Sequence, residues 1–128
     1  SGRIADHDVA RVIGVVNPSI EREVAGTVKK LGFEYHTETE LASALKRIDR
    51  ERFHMFVVDA SNNPESVASV QEFLAHFALA VPVVFLLANG QEPPVNTDSA
   101  QFHFLNTPFD KIKLGELVQD QVTEFGGH

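Results

Sequence analysis

Met55-Phe56-Val57-Val58-Asp59 is an uninterrupted apolar run closed by a single acid. It is too short for an ordinary helix, and the lack of polar alternation suits a strand covered on both faces of a parallel sheet. Arg11 to Val16, rich in β-branched residues, reads the same way upstream. Downstream, Val81 to Leu87 is the most hydrophobic strand candidate, with Pro82 near its beginning, where a missing ladder donor does least harm.

Between these runs the apolar period changes from two to about 3.6. Asn17-Pro18 has the form of an N-cap followed by proline at the first helical position, and Ile20, Val24, Val28 and Leu31 recur at helical spacing before Gly32. Phe33 to His36 is a short strand candidate. Thr37, with Glu40 three residues on, has the form of a capping box ahead of a helix whose stripe is Leu41, Ala44, Leu45 and Ile48. Asn63-Pro64 repeats the cap-then-proline signal before Val67, Val70, Phe73, Leu74 and Phe77. From Asn89 to Ala100 the rhythm breaks at Gly90, Pro93-Pro94 and a polar run, which predicts a loop. Phe102 to Leu105 forms a last short strand, and Leu114, Leu117, Val118, Val122 and Phe125 line a last helix.

Strands alternating with helices predict an α/β fold, a parallel sheet in the middle layer of a three-layer sandwich. Chemistry in such sheets lies outside the carboxyl ends of the strands, which directs attention to Asn17-Pro18, Asp59, Leu87-Ala88 and Asn106-Thr107-Pro108.

Composition narrows the function classes. The 128 residues, 43% hydrophobic, suit one domain. We assign it to 11–125, with 1–10 as a tail and 126–128 as the start of a linker; Ser1-Gly2 reads as a cleavage scar, so the chain reads as a domain cut from a longer polypeptide. No apolar run approaches the ~18 residues needed to cross a bilayer, and no signal peptide is evident, so a soluble, cytoplasmic protein is expected. The lack of cysteine removes disulfides and thiolate chemistry. A net charge of −7 disfavours direct DNA binding, which depends on neutralising phosphates.

Four features in order resemble the response-regulator receiver domain of bacterial two-component signalling: the first strand ending at Asn17, Asp59 closing the third, the Pro-Val-Val-Phe-Leu-Leu-Ala run of 82–88, and Thr107-Pro108-Phe109-Asp110 after the fifth. The resemblance implies a flavodoxin-like (CheY-like) five-stranded sheet of order 2-1-3-4-5, here with helix four degraded or replaced by the 89–100 loop. It also implies a magnesium-assisted phosphoacceptor site built from a pair of acids after strand one, the aspartate ending strand three, a threonine or serine after strand four and a lysine after strand five. Here those positions read Asn17-Pro18, Asp59, Leu87 and Thr107, so only the aspartate survives. Phosphoryl transfer depends on positioning and on neutralising charge on the transferred group, so a lone carboxylate repels its substrate. No metal, cofactor or enzymatic activity is expected, and the Asn17 amide and the Thr107 hydroxyl are expected to donate hydrogen bonds to Asp59.

Two surfaces remain. Period two places Phe102 and Phe104 on one side of an edge strand, and beside Lys111 and Lys113 they form a candidate interaction face for a neighbouring domain or a second copy. Lys46, Arg47, Arg50 and Arg52 on or just after the second helix form a candidate anion site, suited to a nucleotide second messenger such as a cyclic dinucleotide. The histidines do not share one helix face at metal-binding spacing. The reading is a non-phosphorylatable pseudo-receiver acting as a protein-interaction or dimerisation module; a sensor of a small anion is the second possibility, and a receiver still phosphorylated on Asp59 the third.

Overall fold

The computed structural model describes residues 9–93 and 101–126. The order is β1 (Arg11–Val15), α1 (Pro18–Lys30), β2 (Glu34–Thr37), α2 (Leu41–Arg50), β3 (Met55–Asp59), α3 (Glu65–His76), β4 (Val83–Leu87), β5 (Phe102–Asn106) and α4 (Lys111–Gly126). All neighbouring strands are parallel and the sheet order is β2-β1-β3-β4-β5, the flavodoxin-like arrangement expected from the sequence. The expected tail (residues 1–8), the 94–100 stretch of the expected loop, residues 127–128 and the Phe125 side chain lie outside the described residues. From Ala88 to Pro93 the chain forms a turn, with Gly90 at φ +82°, and no helix. Ala10, ahead of β1, is already buried.

The apolar run at 55–59 works as expected because alternate side chains serve opposite faces. Phe56 and Val58 pack with α2 and α3, while Met55 and Val57 pack with α1 and α4. Phe85 and Leu87 of β4 join the first set, Val84 and Leu86 the second. Fully burying each such side chain stabilises the fold by roughly 1.5–3 kcal/mol.

The first helix starts as the sequence predicts: the Asn17 side-chain oxygen accepts the Ser19 N–H at 2.9 Å, and Pro18 opens the helix. It ends at Gly32, whose φ of +86° suits a residue without a Cβ. The capping box at Thr37 does not form. Thr37 is the last residue of β2, paired with Gly14, and its hydroxyl donates to Glu21; α2 begins at Leu41 with no side-chain cap. A residue held in the ladder lacks the freedom to fold back over the next helix.

Phe77 also departs from expectation. The helix ends before it, Ala78 takes a left-handed φ of +52°, and the Leu79 N–H returns to the Leu74 carbonyl at 2.8 Å. This turn packs Leu79 against the core and leaves Phe77 45% exposed.

Gly14, in the middle of β1, lies beneath the Tyr35 ring; a Cβ there would sit 2.9 Å from Tyr35 Cζ. The Tyr35 hydroxyl is buried without a partner among the described residues, and burial, with Glu21 nearby, pushes its pKa above the ordinary tyrosine range. Gly14→Ala is expected to destabilise by about 1–2 kcal/mol, because the ring sits on an edge strand and can partly give way. Tyr35→Phe is expected to be neutral or stabilising, since it removes an unsatisfied polar atom. Urea unfolding checks both, and the alanine penalty should shrink in a Tyr35→Leu background.

Candidate functional site

The β1–β3 pairing runs from Val12 with Met55 to Val15 with Val58, which brings the ends of both strands level. Asp59 therefore emerges beside the β1–α1 connection. One carboxylate oxygen accepts the Asn17 backbone N–H at 3.0 Å. The other accepts the Ser61 N–H at 3.0 Å and the Ser61 hydroxyl at 2.6 Å. The half-buried acid thus ties the loop after β1 to the loop after β3.

The expected partners of Asp59 are partly wrong. Asn17 does donate, but through its backbone N–H, while its side-chain oxygen caps α1. Thr107 does not donate to Asp59: its hydroxyl gives its hydrogen bond to the Leu87 carbonyl at 2.9 Å, alongside its own N–H at 2.7 Å. Thr107 is followed by a cis peptide bond to Pro108. Ser61 is the partner the sequence reading missed. Its signal was present, since an aspartate followed two residues on by a backbone N–H and a hydroxyl is the pattern of an Asx-turn.

A second set of bonds closes the β4–β5 side of the mouth. Asn106 Nδ2 donates to the Ala88 and Gln91 carbonyls at 2.8 and 2.7 Å, and the Gln91 side chain accepts the Ala88 N–H at 2.9 Å. Leu87 is fully buried in the core, so it offers the mouth neither a donor nor space.

The receiver resemblance implies a magnesium ion here, and the residues do not fit one. Magnesium favours an octahedral shell of oxygens including one or two carboxylates. Both Asp59 oxygens are already engaged, Asn17 offers one neutral oxygen that is occupied by Ser19, and Pro18 offers no side-chain oxygen. Among the described residues no group of three or more histidine, cysteine, aspartate or glutamate side chains could hold a metal.

The candidate interaction face divides. Phe102 and Phe104 lie against Phe85, with ring centroids 6.1 and 5.3 Å apart, on the sheet face that α2 and α3 cover. Lys111 lies on the opposite side, where α4 packs with α1, and pairs with Glu23 at 3.4 Å. Lys113 does reach the β5 edge, lining a recess with Phe102, Phe104, Glu116 and Leu117. Strand alternation sends His103 and Leu105, not the two phenylalanines, toward α4; the buried His103 Nε2 has no hydrogen-bond partner among the described residues.

The candidate anion site loses its central member. The Arg47 guanidinium bonds to Glu51 and Glu38 at 3.1 Å each, and lies 5.2 Å over the Phe53 ring. Lys46, Arg50 and Arg52 are exposed, with Arg50 Nε directed at the Lys46 carbonyl. Glu51 also bonds Arg11 at 2.8 Å, and these two arginines hold its carboxyl down at about 2.

No family's sequence profile matches the chain, and no curated protein matches it. Similarity appears in solved structures. The receiver domain of the Francisella response regulator 1452 superposes with a TM-score of 0.72 at 16% identity, over 91% of this chain and 98% of that one. The response regulator StyR gives 0.77 at 23% identity, over 91% of this chain and 60% of that longer one. The receiver domain of the sensor histidine kinase PA1611 from Pseudomonas aeruginosa PAO1, with magnesium coordinated in its active-site cleft, gives 0.69 at 18% identity, over 89% and 98%. The chain has the receiver-domain fold.

Proposed function

We propose that this chain is a receiver-type signalling module that works by association, through the β5–α4 edge, with a neighbouring domain or a second copy, and that Asp59 is a structural acid instead of a phosphoacceptor. The observation that carries this reading is the state of the Asp59 carboxylate. Its two oxygens take three hydrogen bonds from Asn17 and Ser61. An incoming phosphoryl group would have to break these, and positions 17, 18 and 107 carry neither an acid to seat a balancing cation nor a lysine.

The test is incubation with magnesium and either beryllofluoride or a small acyl phosphate. Neither a beryllofluoride adduct nor acid-labile phosphate is expected. An adduct that forms at millimolar reagent and disappears in Asp59→Asn overturns the structural role. For the association arm, light scattering should show concentration-dependent self-association, or capture of the adjoining domain, weakened by Lys113→Glu with the melting temperature unchanged. A strict monomer that ignores its neighbour sinks that half.

A further inference from the structure

At the opposite end of the sheet, where the strands begin, Ile48, Phe53, Leu79, Val81 and Pro82 line a recess of about 300 Å³. Its walls come from the end of α2, the link into β3 and the turn that leads from α3 into β4. The left-handed turn at Ala78 aims that last segment, because the Leu79 N–H is drawn back to Leu74.

Three polar residues join this apolar lining, Glu51, Arg52 and His54. Arg52 is exposed and its guanidinium has no partner among the described residues; only its backbone carbonyl is used, by Arg11 at 3.0 Å. His54 Nδ1 accepts the Arg11 backbone N–H at 3.1 Å, so in the neutral ring the proton resides on Nε2. That Nε2–H has no partner among the described residues. Burial, then the charges of Arg52 and Arg11, hold the His54 pKa below its ordinary value, which keeps the ring neutral at pH 7. Glu51, the acid in the lining, is committed to Arg11 and Arg47 and does not cancel Arg52.

The recess therefore presents an apolar floor beside hydrogen-bond donors, one of them a cation without a counter-ion among the described residues. We infer that it binds a small organic carboxylate with a single-ring or branched-alkyl body. The carboxylate accepts from the Arg52 guanidinium and the His54 Nε2–H, forming charge-assisted hydrogen bonds. The body rests on Leu79, Val81 and Pro82. The volume is at the lower end of the range for ligand pockets, roughly 300–1,000 Å³, which limits the body to about one ring. The site stands apart from Asp59 and does not depend on how that acid behaves.

Phenylacetate is the probe, with benzyl alcohol as the neutral control and acetate as the control without a body, each titrated into ¹⁵N-labelled protein. Saturable amide shifts are expected at residues 48–54 and 79–82, with phenylacetate binding at least ten-fold more tightly than either control. Arg52→Ala should weaken binding at least five-fold, and Arg52→Gln should weaken it similarly. Ala80→Trp, at an exposed position in the lining, should block the recess without touching the core. The inference is overturned by equal affinity for phenylacetate and benzyl alcohol, by shifts centred at the Asp59 end, by binding that survives both the Arg52 and Ala80 variants, or by no saturable shift at tens of millimolar.

Discussion

Phe85→Ala is expected to lower the unfolding free energy by about 3–5 kcal/mol, the cost of emptying a fully buried aromatic position in a core that relaxes only partly. Phe85 has no exposed surface and sits in β4 opposite Phe104 of β5. Its ring stacks on Phe104 at 5.3 Å with the planes 21° apart, and meets Phe102 at 6.1 Å. Removing it leaves a void under both β5 rings and loosens the edge strand as well as the core. Urea unfolding is the measurement, and a loss below about 1 kcal/mol would show that the three-ring stack is not held as described. Phe104→Ala carries part of the same penalty, so lost association in that variant does not by itself identify a contact. Lys113→Glu, which leaves the stack alone, is the cleaner probe of the β5–α4 edge.

Asp59→Ala should destabilise by about 2–3 kcal/mol, since hydrogen bonds to a charged group are each worth roughly 1.5–3 kcal/mol and three that share one acceptor do not add in full. Asn17 N–H, Ser61 N–H and the Ser61 hydroxyl all lose their acceptor. Asp59→Asn should fall between wild type and alanine, and Ser61→Ala should cost about 0.5–1.5 kcal/mol. The sign is diagnostic. In a cluster of acids awaiting a cation, neutralising one carboxylate relieves repulsion and stabilises the protein. Asp59 here accepts three hydrogen bonds from the loops after β1 and β3, so its neutralisation is expected to weaken a clamp between them. A stabilised Asp59→Asn protein would mean that unseen negative charge faces residue 59, and the phosphoacceptor reading would return.

Much of the fold was legible because side-chain period reports directly on burial. Met55 to Asp59 reads as a strand with the bounds it has, and of the α2 stripe Leu41, Ala44, Leu45 and Ile48 the last three are buried and Leu41 partly so. Asn17 and Pro18 marked the start of α1 because a cap is a local interaction between residues two apart. Misreadings arose where two segments competed for one group. Thr37 resembled a cap, but its pairing with Gly14 placed it in β2, and a ladder position excludes the fold-back that a cap needs. Phe77 matched the helical stripe, but the turn at Ala78 ended the helix one residue earlier.

The alternation of apolar periods in the chain was enough to indicate a parallel α/β sheet with Asp59 at a strand end, because both are matters of residue type and period. Only the tertiary structure decided which groups satisfy that acid. Whether Thr107 serves Asp59 or the Leu87 carbonyl, whether Arg47 is free or taken by Glu38 and Glu51, and whether Phe102 and Phe104 share a side with Lys111 all depend on distances between segments distant in the chain. Hydrogen bonds and ion pairs act over about 3–4 Å, and a single sequence carries no measure of such distances until the strands are in register.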